Sequence, residues 1–149
     1  MYRWPVIDQV TVATARDETT SKPLPITAVP KLLHRCTESA ASIVLRRRSA
    51  QHFDGKYTMP AQDFFLMLDC TLPRPDSPWE LLGGAARVHP VIFVHRVQDV
   101  APGIYVLVRN AETESALRQA MKNDFAWTRV AQCPDHLPLF QLTAVDYQK

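Results

Sequence analysis

Twelve prolines stand against only four glycines in this chain, and that ratio restricts the architectures open to it. Glycine supplies positive φ angles and lets a backbone close tightly on a ligand. Folds that cradle phosphates in glycine-rich loops need both. Neither a G-x-G-x-x-G nor a G-x-x-x-x-G-K-[ST] segment occurs, which disfavours the common nucleotide-binding folds. The prolines gather at Pro23, Pro25 and Pro30, at Pro73, Pro75 and Pro78, and at Pro134 and Pro138. Each cluster predicts an irregular segment, because proline fixes φ and removes a donor.

At 149 residues there is room for one domain with a real core, and 46% hydrophobic residues suit a globular protein. The net charge of +2 is too small to argue for a nucleic-acid partner on electrostatic grounds. No apolar run approaches the ~20 residues that span a bilayer, so no membrane partner is expected. The opening Met1-Tyr2-Arg3-Trp4-Pro5 lacks the apolar stretch of a signal peptide. Cys36, Cys70 and Cys133 are odd in number and widely spaced, which argues against a disulfide framework. A reducing, cytoplasmic setting is the resulting expectation.

Residues 1–35 read as a lead-in. Val6, Val10 and Val12 show some alternation, then a polar, turn-rich stretch runs into the first prolines, as in a semi-rigid linker. Such a linker suggests a piece of a longer protein. Residues 36–149 form the domain proper. Residues 37–47 take a helical pattern, with Ala40, Ile43, Val44 and Arg47 at helical spacing and Thr37 or Ser39 as cap. A second helix comes next, with Thr58 as cap, Pro60 in the first turn and Phe64, Met67, Leu68 and Thr71 on one face. Residues 88–97 predict a mostly buried strand, and a short loop through Pro102-Gly103 returns the chain as a second strand over residues 104–109. The short connection implies an antiparallel pair. Asn110 is placed to cap a third helix with Ala116, Leu117, Ala120 and Met121 inward. From Phe125 onward the pattern is irregular, with no closing element.

The segment with the most chemistry is Arg46-Arg47-Arg48-Ser49-Ala50-Gln51-His52-Phe53-Asp54-Gly55. A guanidinium is a planar, permanently charged fork that pairs two-pronged with phosphate oxygens, and the Ser49 hydroxyl adds a short donor. By themselves the arginines read first as a solvated helix end, where the macrodipole favours cations.

Arg47-Arg48-Ser49-Ala50-Gln51-His52-Phe53 resembles the opening flavin-phosphate motif of the nitroreductase family of FMN-dependent oxidoreductases. Ala101-Pro102-Gly103-Ile104-Tyr105-Val106 resembles the proline-glycine-leucine-tyrosine hairpin of that family's thiazoline/oxazoline dehydrogenase branch. The two motifs occur in family order over residues 38–121. The resemblance implies an α+β, nitroreductase-like fold: an antiparallel strand pair packed with helices, incomplete at its C-terminal side because the family's later segment is missing. It implies that Arg47 and Ser49 contact the FMN phosphate with Arg48 nearby. Where the family carries a second basic residue this chain has Gln51, a neutral donor, and gives up a charged contact worth about 1.5–3 kcal/mol. It further implies hydride transfer through the flavin, NAD(P)H as electron donor, a small-molecule substrate, and a homodimer or second nitroreductase-like domain completing the site. No catalytic acid or base is identified.

Other readings are weaker. Cys133-Pro134-Asp135-His136, with His34 and Cys36, has one close pair of ligand spacing, short of the four converging ligands of a zinc site. Tyr105 and Phe93 are expected in the core, while Trp79 and Trp127 either cover a ligand or pack under loops. A nucleic-acid module built on Arg46, Arg47 and Arg48 would want a broader basic face, but Asp54, Asp63 and Asp69 interrupt it. A non-catalytic half-domain retained for dimerisation is the remaining alternative.

Overall fold

The structure is a computed structural model and describes residues 4–15, 30–32, 37–52, 54–75, 78–79 and 85–144. Among these, four α-helices and four strands make an α+β arrangement: α1 (Pro5–Thr14), α2 (Ala40–Arg46), α3 (Ala61–Asp69), β1 (Val91–Val94), β2 (Gly103–Leu107), α4 (Glu114–Ala120), β3 (Thr128–Arg129) and β4 (Leu139–Ala144). The strands form one sheet in the order β1-β2-β4-β3, antiparallel throughout.

The expected hairpin is present, with Ile92 opposite Tyr105 and Phe93 opposite Ile104. Beyond Phe125 the fold departs from expectation. Instead of an irregular tail, β4 lies at the centre of the sheet, and Leu139 and Leu142 are buried. Its run Leu-Phe-Gln-Leu-Thr-Ala does alternate. Pro138 and the turns before it hide the strand's start, but proline at a strand's first residues is compatible with pairing.

Side-chain alternation on the strands divides the core in two. Tyr105, Leu107, Leu139 and Val94 pack with Phe64, Phe65, Leu68 and Leu72 from α3 and its exit. Val106, Val108, Phe140 and Leu142 pack with Leu117, Met121, Phe125 and Trp127 around α4. At β2 and β4 the sheet is therefore covered on both faces. Between Ile104 and Tyr105 the register slips by one on β4, a bulge beside which Gly103 lies so close to the Thr143 carbonyl that a Cβ would collide with it.

Several element-level expectations are corrected. The lead-in contains a helix, α1, none of whose residues is buried; Pro5 suits its first turn, and Val6 and Val10 are four residues apart, a helical spacing. Thr58 does not cap α3; Pro60 occupies that position without a side-chain cap. Met67 is exposed and Phe65 takes its place in the core. On β1, alternation turns Ile92 and Val94 to the α3 core and Val91 and Phe93 to the opposite face, which the α4 cluster does not cover there. Phe93, expected in the core, is 66% exposed, whereas Tyr105 is fully buried and donates its hydroxyl to the Ala101 carbonyl at 2.5 Å. Asn110 does not cap α4: it accepts from the Glu112 amide at 3.1 Å and so caps the single 3-10 turn Ala111–Thr113 that leads into the helix. α4 itself begins after Thr113 without a side-chain cap, and Ala116 and Ala120 point outward. Pro23 and Pro25 of the expected linker, and His34 and Cys36, lie outside the described residues.

Candidate phosphate-binding site

Ser39 starts α2 by accepting the Ser42 amide on its hydroxyl at 3.2 Å. The helix ends at Arg47, whose backbone turns extended (φ −56°, ψ 135°) while its amide still bonds the Ile43 carbonyl. Residues 47–52 then continue without regular structure, every one exposed. The sequence thus places the cationic run across a helix C-terminus, where unsatisfied carbonyls carry partial negative charge. That end would repel a phosphate unless it were neutralised.

Arg48 supplies the neutralisation. Its Nη1 donates to the Leu45 carbonyl at 2.8 Å and to the Arg47 carbonyl at 2.9 Å. Arg46 is engaged elsewhere, in an exposed ion pair with Glu38. Arg47 and Ser49 have no side-chain partner among the described residues, and Gln51 is exposed beside them. The three arginines, alike in sequence, are separated by geometry into an ion-paired one, a helix-capping one and an unengaged one. Phe53 of the motif lies outside the described residues.

The donor set fits an anionic phosphate: one unengaged guanidinium fork, one unengaged hydroxyl and one neutral amide within five residues, all open to approach. None of α2's residues is buried, so the site stands on a helix that does not rest on the sheet.

The other sequence candidates have structural employment. Trp79 lies under the Arg109 guanidinium, 5.0 Å from its ring centre. Trp127, at φ 50°, lies under the Arg118 guanidinium at 4.3 Å and meets Phe140 in a tilted contact with ring centres 5.8 Å apart. The Cys133 thiol is buried and donates to the Leu137 carbonyl at 3.5 Å. Burial pushes its pKa up to about 11 despite the nearby Arg129 charge, which leaves a poor ligand or nucleophile. His136 gives its Nε2 to Asp69 at 2.7 Å. Among the described residues no three His, Cys, Asp or Glu side chains come together to hold a metal.

Sequence reasoning missed the polar cluster that includes this histidine. Asp69, 1% exposed, takes Arg74 Nη2 at 2.7 Å and His136 on one oxygen and the Leu32 amide at 3.3 Å on the other. Arg74 also bonds the Asp69 carbonyl at 2.6 Å and the Pro30 carbonyl at 2.7 Å. The one signal for it in the sequence is Asp69's position beside Leu68 on the apolar face of α3. Taken alone, that aspartate reads as an interruption of a basic surface.

Comparison of the chain with protein-family models, with curated proteins and with solved structures finds no match.

Proposed function

We propose that residues 47–51 bind the phosphate of FMN and that the chain belongs to an FMN-dependent oxidoreductase of nitroreductase type. The observation that carries this reading is the unengaged Arg47 guanidinium two residues from the unengaged Ser49 hydroxyl, beyond a helix end whose carbonyls Arg48 already covers. In this reading Arg47 pairs two-pronged with phosphate oxygens, Ser49 donates to another, and Gln51 adds a neutral hydrogen bond. Arg48 holds the helix end electrically quiet and contributes its remaining positive charge. The flavin, when bound, supplies the hydride chemistry, with NAD(P)H as electron donor and a small molecule as substrate. A second copy, or a second nitroreductase-like domain, covers the ring. The cytoplasm, where NAD(P)H is available, is the setting this chemistry needs.

The test is a fluorescence titration with FMN and with riboflavin, which lacks the phosphate. FMN should bind at least about tenfold more tightly, the worth of one charge-assisted pair. Equal affinities, or no binding of either, would contradict the assignment.

A specific observation favours one other reading, a dimerisation half-domain without chemistry. The Leu107 amide bonds the Pro90 carbonyl at 3.0 Å, so ladder alternation turns the backbone groups of Val91 and Phe93 to the outer edge. Their side chains are exposed as well. Protein that sediments as a dimer, stays colourless and takes up no flavin would support this second reading over the first.

A further inference from the structure

We infer that Ser49 is a phosphorylation site for a basophilic serine kinase, one whose substrate groove carries carboxylates for arginines preceding the acceptor hydroxyl. Ser49 is the one hydroxyl in the chain with arginine at each of the three positions before it. The geometry presents this run openly. Residues 47–52 are irregular and exposed, the backbone at Arg47 is already extended, and the Ser49 hydroxyl has no partner among the described residues. Kinase access needs such a segment, because a hydroxyl fixed in a helix or sheet cannot enter a cleft without unfolding.

Little must be undone for docking. Arg47 is unengaged, and the Arg46–Glu38 pair is exposed, where water competes with it. The nearest carboxylate after Ser49, that of Asp54, is turned back onto the Lys56 amide at 2.9 Å. In the reaction the Ser49 Oγ attacks the γ-phosphorus of Mg-ATP and the bond to the β-phosphate oxygen breaks. ADP leaves, and the hydroxyl proton passes to the kinase's carboxylate. The product is a dianion beside Arg47 and Arg48. It would occupy the charges that the proposed FMN phosphate uses, so modification and flavin binding would exclude each other. This last consequence rests on the flavin reading; the modification site does not.

The full chain is incubated with Mg-ATP and the catalytic subunit of cAMP-dependent protein kinase, and in parallel with an acidophilic serine kinase. Intact mass and peptide mapping should find one phosphoryl group, on Ser49, with the basophilic enzyme alone. Ser49→Ala should remove it, and Arg46→Ala or Arg47→Ala should each slow it about tenfold, the loss of one charge-assisted contact. The inference is overturned if Ser49 is left unmodified, if its modification is indifferent to both arginines, or if only urea-unfolded chain reacts. Flavin titration of modified and unmodified protein is read separately. Unmodified protein that binds no FMN sinks the flavin reading and leaves the kinase result standing.

Discussion

Asp69 accepts hydrogen bonds from three chain segments, through His136, Arg74 and the Leu32 amide. Burial alone would raise its pKa, but those donors and the Arg74 charge outweigh burial and hold it below the ordinary carboxylate value. A carboxyl depressed in the folded state stabilises the fold above its unfolded pKa, and that contribution disappears as pH falls through the folded value. Acid unfolding should therefore include a component below about pH 4 that Asp69→Asn removes, seen by circular dichroism. Asp69→Ala should cost more, about 3–5 kcal/mol in urea denaturation, because it strands the Arg74 guanidinium in the interior. The cluster is already imperfect, since the buried Arg74 Nε has no partner among the described residues. Gly103 is the other exacting position. There an added Cβ meets the Thr143 carbonyl and crowds Gln141 Nε2, so Gly103→Ala should lose about 1–3 kcal/mol through displacement of β4, measured in the same denaturation assay.

The elements are joined by side chains that the sequence pattern does not reveal. His89, on the approach to β1, accepts the Arg109 amide on Nδ1 at 3.0 Å. Its Nε2 lies 2.9 Å from the Thr113 hydroxyl, so the proton sits on Nε2 and the ring is neutral. Burial and then the Arg109 charge hold its pKa below the ordinary value. A histidine depressed on folding stabilises the fold above its unfolded pKa and stops doing so as pH falls through the folded one. The melting temperature should drop on acidification from about pH 7.5 to about pH 5.5, and the slope should flatten in His89→Asn. Arg109 ties the same region to the exit of α3, its Nε donating to the Thr71 carbonyl at 2.7 Å. The β1–β2 hairpin and α3 were legible because β-branched runs, a short turn and an apolar stripe are local signals. β4 was not, since its centrality arises from pairing with β2 across more than thirty residues. Whether α2 packs on anything was likewise beyond local pattern. Ile43 and Val44 have the spacing of a buried stripe yet are exposed, because nothing in a helical period says whether a partner surface exists.

For the whole molecule, apolar exposure is concentrated on α1, α2 and the β1 edge, where Trp4, Ile7, Val44, Leu45 and Phe93 face outward. The two-sided core around β2 and β4 holds without them. That division suits a domain completed by another copy or another domain, as the proposed flavin site requires. No described helix is long and apolar enough to cross a membrane. Of the candidate site, the residue types and their order were legible in sequence. Their division of labour was not, because Arg46, Arg47 and Arg48 differ only in which neighbour each one reaches. The central claim is that Arg47, and not its neighbour, grips a phosphate, and the direct measurement is FMN affinity by flavin fluorescence in Arg47→Ala and Arg46→Ala. The account predicts a loss of about tenfold or more for Arg47→Ala, with Arg46→Ala close to wild type because its partner is Glu38. Equal losses in the two variants, or none in either, would contradict it.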